Sequence, residues 1–139
     1  MSKKLGIIAI VISVIALGFS VFGFISSPKQ EEKEEFDIQY VLFLGTNDKD
    51  TYAPYGTPEE VKTKVDEVLT KHVEGFTIQE ANGGWTNDNG TVDHEYTVVI
   101  LLSDTTIDKV HAICDDLIKT FNQSAILVQS NRTKTEFYS

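Results

Sequence analysis

Residues Thr91–Ser103 read TVDHEYTVVILLS, a polar start that becomes an unbroken run of β-branched and aliphatic side chains. Such a run fits a strand with apolar neighbours on both faces, in the middle of a sheet and not at its edge. Just before it stands Asn87-Asp88-Asn89-Gly90, and Asn-Gly between apolar stretches is a strong hairpin signal. The other arm of that hairpin is Phe76–Ala81 (FTIQEA), which alternates as a half-buried strand, with Gly83-Gly84-Trp85-Thr86 read as the link to the turn.

Working upstream, Phe36–Thr46 (FDIQYVLFLGT) is dense in aromatic and aliphatic residues and ends at a glycine, as a strand buried on both faces would. Between these strands, Thr57-Pro58-Glu59-Glu60 offers a cap, a proline at the first helical position and a glutamate that closes a capping box. Val61, Val65, Val68, Leu69 and His72 then recur at helical spacing up to Gly75, which predicts a helix over 58–73. Downstream, Thr105 opens a second helix with Asp108 three residues on. Ile107, Val110, Cys114, Leu117, Ile118 and Phe121 form its apolar face. Ser124–Ser130 (SAILVQS) supplies a last strand, which Thr135–Tyr138 is able to continue.

The order strand, helix, strand, strand, helix, strand over residues 36–139 is the ferredoxin-like pattern, an α+β sandwich of a four-stranded antiparallel sheet with two helices on one face. In that pattern the first and third strands are central. They are also the two most apolar strands here, an agreement that did not enter their identification.

Ahead of the domain, Leu5–Ile25 runs 21 residues without a charge. About 20 residues of helix cross roughly 30 Å of hydrocarbon, whereas a secretory h-region has about 7–15. Residues 1–27 are therefore expected to form one N-terminal transmembrane helix, an uncleaved anchor. The alternative is a cleaved signal and a secreted domain. Lys3 and Lys4 precede the span, so the N-terminus belongs in the cytoplasm and the domain outside a bacterial cell membrane. Gly6, Ala9, Ser13, Ala16, Ser20 and Gly23 fall on one helical stripe that allows close helix packing. Residues 28–35, with four Glu and two Lys, read as a solvated linker.

The whole chain carries 12 Lys+Arg against 21 Asp+Glu, a net charge of -9, which excludes nucleic acid as a natural partner. Hydrophobic residues at 41% and three prolines exclude collagen-like and wholly disordered classes. With a single cysteine, Cys114, the domain has no internal disulfide and must be held by its core.

A sheet with both helices on one side leaves its other face uncovered. Parity assigns Ile38, Tyr40, Leu42 and Leu44 with Tyr96, Val98, Ile100 and Leu102 to the helix side. The opposite sets are Gln39, Val41 and Phe43 with Glu95, Thr97, Val99 and Leu101, too apolar to be left in water. Two occupants fit: a second copy packed sheet to sheet, or a ligand in an apolar pocket with a few polar groups at its mouth. For the second, Glu95, Gln39 and Trp85 are the polar and aromatic candidates.

The remaining chemistry is sparse. In Asp93-His94-Glu95, strand alternation sends His94 to one face and the two carboxylates to the other, so the three cannot act as one cluster. Glu95 is placed to serve as a base beside Gln39 and Thr97, and His94 to serve the opposite face near Tyr40, although both are better read as solvated residues at the hairpin end. His111 and Cys114 share a helical turn, but a metal site needs three or four ligands and no second pair exists. Cys114 on the apolar stripe reads as a small core residue. No phosphate loop, catalytic triad or nucleotide fingerprint occurs. No metal or cofactor is implied, and a non-enzyme is favoured.

Phe43-Leu44-Gly45, Gly75-Phe76-Thr77, Gly84-Trp85, Glu95 and Phe137-Tyr138 together resemble a family of small bacterial and viral proteins of unknown function, many of them exported. That family's pattern includes a Thr-Pro-Arg-Phe motif before a Gly-x-Thr strand, where this chain has Thr70-Lys71-His72-Val73. The resemblance implies one compact exported domain and assigns no catalytic residue. The sequence thus leads to a membrane-anchored extracytoplasmic binding or interaction module, dimeric through its sheet face. The alternative is a small enzyme or ligand-binding protein of the dimeric α+β-barrel type with its pocket on that face.

Overall fold

The computed structural model describes Glu35–Ser139; the expected membrane segment, its small-residue stripe and most of the expected linker lie outside the described residues. The elements are β1 (Asp37–Gly45), α1 (Pro58–Leu69), β2 (Thr77–Thr86), β3 (Val92–Leu102), α2 (Ile107–Phe121) and β4 (Leu127–Thr133). The strands form one antiparallel sheet in the order β2-β3-β1-β4, with β1 and β3 central as expected.

The first helix starts as its sequence dictates. Thr57 accepts the Glu60 backbone N–H, and the Glu60 carboxylate accepts the N–H of Thr57 at 2.7 Å, with Pro58 at the first helical position. It ends earlier than expected, at Leu69 rather than 73. The Thr70 hydroxyl donates to the Asp66 carbonyl, and the N–H groups of Lys71 and His72 bond three residues back to Val68 and Leu69, a tightened last turn. The second helix is capped by Thr106, whose hydroxyl accepts the Lys109 N–H, and not by Thr105. It closes at Asn122, which holds the left-handed conformation (φ 48°) that asparagine tolerates.

The helices bury Val61, Val65, Val68 and Leu69 from α1 and Val110, Ile113, Cys114, Leu117 and Phe121 from α2 against the sheet. Ile113 joins the expected apolar face, while Ile107 is exposed at its start and Ile118 is half-buried. The sheet contributes Tyr40, Leu42, Leu44, Val98, Ile100 and Leu102, six of the eight residues that parity assigns to the helix side, with Ile38 and Tyr96 partly buried against them. Each fully buried aliphatic side chain there contributes about 1.5–3 kcal/mol relative to exposure.

Three strands depart from the sequence reading. β1 is buried on one face only, with Gln39, Val41 and Phe43 half-exposed on the other. β2 continues through Gly83-Gly84-Trp85-Thr86, where a link was expected. β4 is shifted to Leu127–Thr133, and Thr135–Tyr138 does not extend it. The hairpin turn is as expected: Gly90 has φ 85°, and the Asn87 N–H meets the Thr91 carbonyl at 2.9 Å.

Candidate functional site

The uncovered face of the sheet follows from the register. Val41 pairs with Leu101 and with Gln129, and Phe43 with Val99 and with Leu127, so these side chains form two adjoining rows across the central strands. Leu127, which the sequence reading did not assign to this face, carries the apolar strip to the β4 edge and is 59% exposed. Toward the hairpin the next rows are built from small residues. Gly45 and Ala81 flank Thr97, Gly83 faces Glu95, and Trp85 faces Asp93.

Those glycines decide where Glu95 lies. A Cβ on Gly45 would sit 2.3 Å from Glu95 Oε1, and one on Gly83 would sit 2.3 Å from Thr97 Oγ1. The glutamate therefore lies down across β1 instead of standing out into solvent. Its Oε2 accepts the backbone N–H of Asn47 at 3.1 Å. Asn47 is fixed in turn: its side-chain amide donates to the His94 carbonyl at 3.3 Å, and its own carbonyl accepts from the Gln123 amide at 2.6 Å. One residue earlier, Thr46 donates its hydroxyl to the Tyr96 carbonyl at 2.6 Å.

The loop that carries Asn47 is locked to the end of α2. Asp48 Oδ1 accepts the N–H groups of Asp50 and Thr51, and Asn122 Nδ2 donates to Asp48 Oδ2 and Asp50 Oδ2 at 2.9 Å each. The Asn122 amide, followed by the two backbone N–H groups, lowers the Asp48 carboxyl to about 2. Tyr55 closes the same loop over the Phe121 ring with centroids 4.6 Å apart.

The structure brings Glu95 and Thr97 together and places Trp85 on the same face, 76% exposed, one row beyond. It does not bring Gln39 to them. Gln39 pairs with Asn131 at the far end of β1, eight residue steps from Glu95 along the sheet, on the order of 26 Å. Gln39 instead lines an open groove of about 820 Å³ with Lys71, His72, Leu101, Ser103 and Phe137. His94 pairs with Gly84 and is exposed near the hairpin, whereas Tyr40 pairs with Leu102 at the other end, so these two do not meet either.

The other titratable groups are structural. His72 Nε2 and Asp116 Oδ2 are 2.7 Å apart and tie the end of α1 to α2, and this bond holds the Asp116 carboxyl below the usual carboxylate range. Cys114 is buried, and desolvation raises its thiol, while His111 one turn away is exposed. Among the described residues no three His, Cys, Asp or Glu side chains are grouped to hold a metal. Among them, too, no helix is long and apolar enough to cross a membrane.

Solved structures share this fold at low sequence identity. A phage SAM lyase in complex with S-methyl-5′-thioadenosine superposes with a TM-score of 0.52 at 19% identity, over 74% of this chain and 93% of that one. A phage SAM lyase in its apo state gives 0.53 at 19% identity, over 75% and 94%. The periplasmic divalent cation tolerance protein CutA from Archaeoglobus fulgidus gives 0.47 at 10% identity, over 74% and 88%. For the two phage lyases the likeness at such identity is one of fold. No curated protein matches the sequence. Residues 39–137 match the model of a family of proteins of unknown function (DUF3574), and the chain, a small α+β domain, belongs to that family.

Proposed function

We propose that this domain is a membrane-tethered extracytoplasmic interaction module that pairs with a second copy through its open sheet face. The observation that carries this reading is the apolar strip of Val41, Phe43, Val99 and Leu101, continued by exposed Leu127, on a face that no element among the described residues covers. Water contact over such a strip is unfavourable, and a second sheet packed about 10 Å above it removes that contact. The strip is self-complementary, because the same rows lie on both copies. Residues 5–25 would hold the pair at a bacterial membrane, on the side opposite Lys3 and Lys4.

Charge selects between the two ways a two-fold axis in the plane of the interface can stack the sheets with their strands aligned. An axis along the strands sets Glu95 over Glu95, which like-charge repulsion disfavours. An axis across the strands sets each Glu95 over the Gln39 end of the second copy. Gln39 and Glu95, far apart within one chain, then border the same space, as a pocket shared between protomers requires.

A second reading, a ligand-binding protein or small enzyme of the dimeric α+β-barrel type, is favoured by the fixed carboxylate of Glu95. The phage lyase of the same fold binds S-methyl-5′-thioadenosine, which makes that compound a reasonable first probe. In this reading Glu95→Gln abolishes activity with the fold intact.

Light scattering on residues 28–139 across a dilution series tests the pairing, since the core lies wholly within Glu35–Ser139. A dimer that Phe43→Asp converts to a monomer is expected. A monomer at every concentration overturns the reading.

A further inference from the structure

We propose that Glu95 anchors a small organic cation, an alkylammonium or alkylguanidinium group, on the open sheet face, with the Thr97 hydroxyl as a second contact. The proposal deepens the reading of that face as the binding surface and rests on it. Three separate features place this one carboxylate. Gly45 leaves the space over which it lies, the Asn47 N–H fixes Oε2, and the loop behind Asn47 is pinned to α2 through Gln123 and Asn122.

What is left free is chemically specific. Oε1 takes no hydrogen-bond partner among the described residues, and an ionised carboxylate accepts only, so it calls for a donor. Thr97 is 8% exposed, and its hydroxyl likewise has no partner among the described residues. The buried hydroxyls without a partner among the described residues are those of Tyr96 and Thr105, so the Thr97 hydroxyl reaches solvent and is open to a ligand N–H or lone pair. A cationic N–H donor forms the stronger, charge-assisted bond to a carboxylate. Trp85 is exposed on the same face but on β2, across β3 from the Glu95 carboxylate, and its ring reports on occupancy of that face. A metal ion fits less well, because the described residues group no three ligands for it.

The test uses the full chain in uncharged detergent micelles, titrated with n-butylguanidinium and n-butylammonium and with n-butanol as the neutral control. Binding is read by calorimetry and by the fluorescence of Trp85, the only tryptophan in the chain. Saturable binding of the cations but not of butanol is expected, weakened at least tenfold in Glu95→Gln and about threefold in Thr97→Val. Glu95→Gln retains an oxygen for the Asn47 N–H, so its circular dichroism should match the parent. No calorimetric binding, equal binding of butanol, or an undiminished titration in folded Glu95→Gln overturns the proposal. Light scattering on the same samples separates the two readings: a dimer that ignores the cations overturns this inference alone, and a monomer that binds them overturns the pairing alone.

Discussion

Ile100 and Leu101 are neighbours on β3 with opposite surroundings. Ile100 is fully buried, paired with Leu42 on one side and Ile78 on the other beneath the two helices, whereas Leu101 lies half-exposed on the open face. Ile100→Ala removes transferred apolar surface and leaves a cavity, and should cost about 3–4 kcal/mol in denaturant unfolding. Leu101→Ala should cost about 1 kcal/mol or less in a dilute monomer, with its larger effect on self-association. Equal losses at the two positions would mean that the open face is already covered within one chain. The same contrast explains what alternation could show at this scale. Period two separates Tyr40, Leu42 and Leu44 from Gln39, Val41 and Phe43 without any structure. It leaves open which residue of one strand faces which of the next. The meeting of Glu95 with Gly45 and Gly83, and its separation from Gln39, depends on that register and was not legible in the sequence.

Elements whose ends are set by local chemistry were the ones the sequence located best. The start of α1 is an example, since Thr57 and Glu60 satisfy each other's backbone N–H groups within four residues. Thr57→Ala should lower stability by about 1 kcal/mol with the helix otherwise retained, and Thr57→Ser should restore most of it, as read by thermal unfolding. Elements set by tertiary pairing were less legible. Gly83 and Gly84 are poor strand residues, yet β2 continues through them because the Asn87–Gly90 turn hands the chain directly onto a long β3 that needs a partner. In place of a side chain, Gly83 gives the close approach that the Thr97 hydroxyl occupies, while Gly84 is met by Val92 and His94. The shorter α1 has a similar cause. Thr70 bonds back to Asp66 and diverts the last turn, while His72 leaves the helical stripe to meet Asp116. Trp85 thus becomes a strand residue on the open face and not a loop residue.

Across the whole domain, the loop after β1 couples the sheet to α2 through ionised carboxylates, and this makes stability depend on pH in a definite direction. Asp48 is held at about 2, first by the Asn122 amide and then by the N–H groups of Thr51 and Asp50, below its ordinary value of 3.8. Asp50 is lowered as well, chiefly by Asn122, and Asp116 by His72. A carboxylate whose folded value is depressed stabilises the fold above its unfolded value, and that contribution is lost as pH falls through the folded value. For Asp48 the window runs from about pH 4 down to about 2. Over the same interval the excess negative charge of the chain is neutralised, which relieves repulsion and partly masks the loss. A substitution that removes the amide without disturbing the backbone isolates the carboxylate contribution. Asn122→Gly does so, because Asn122 holds a left-handed conformation that glycine adopts freely. The melting temperature of this variant should be lower than that of the parent at pH 7, and should fall less steeply between pH 4 and 2. Parallel curves over that interval would mean that Asn122 does not carry the coupling. The position of Asn47, and of Glu95 behind it, would then be set by the sheet alone.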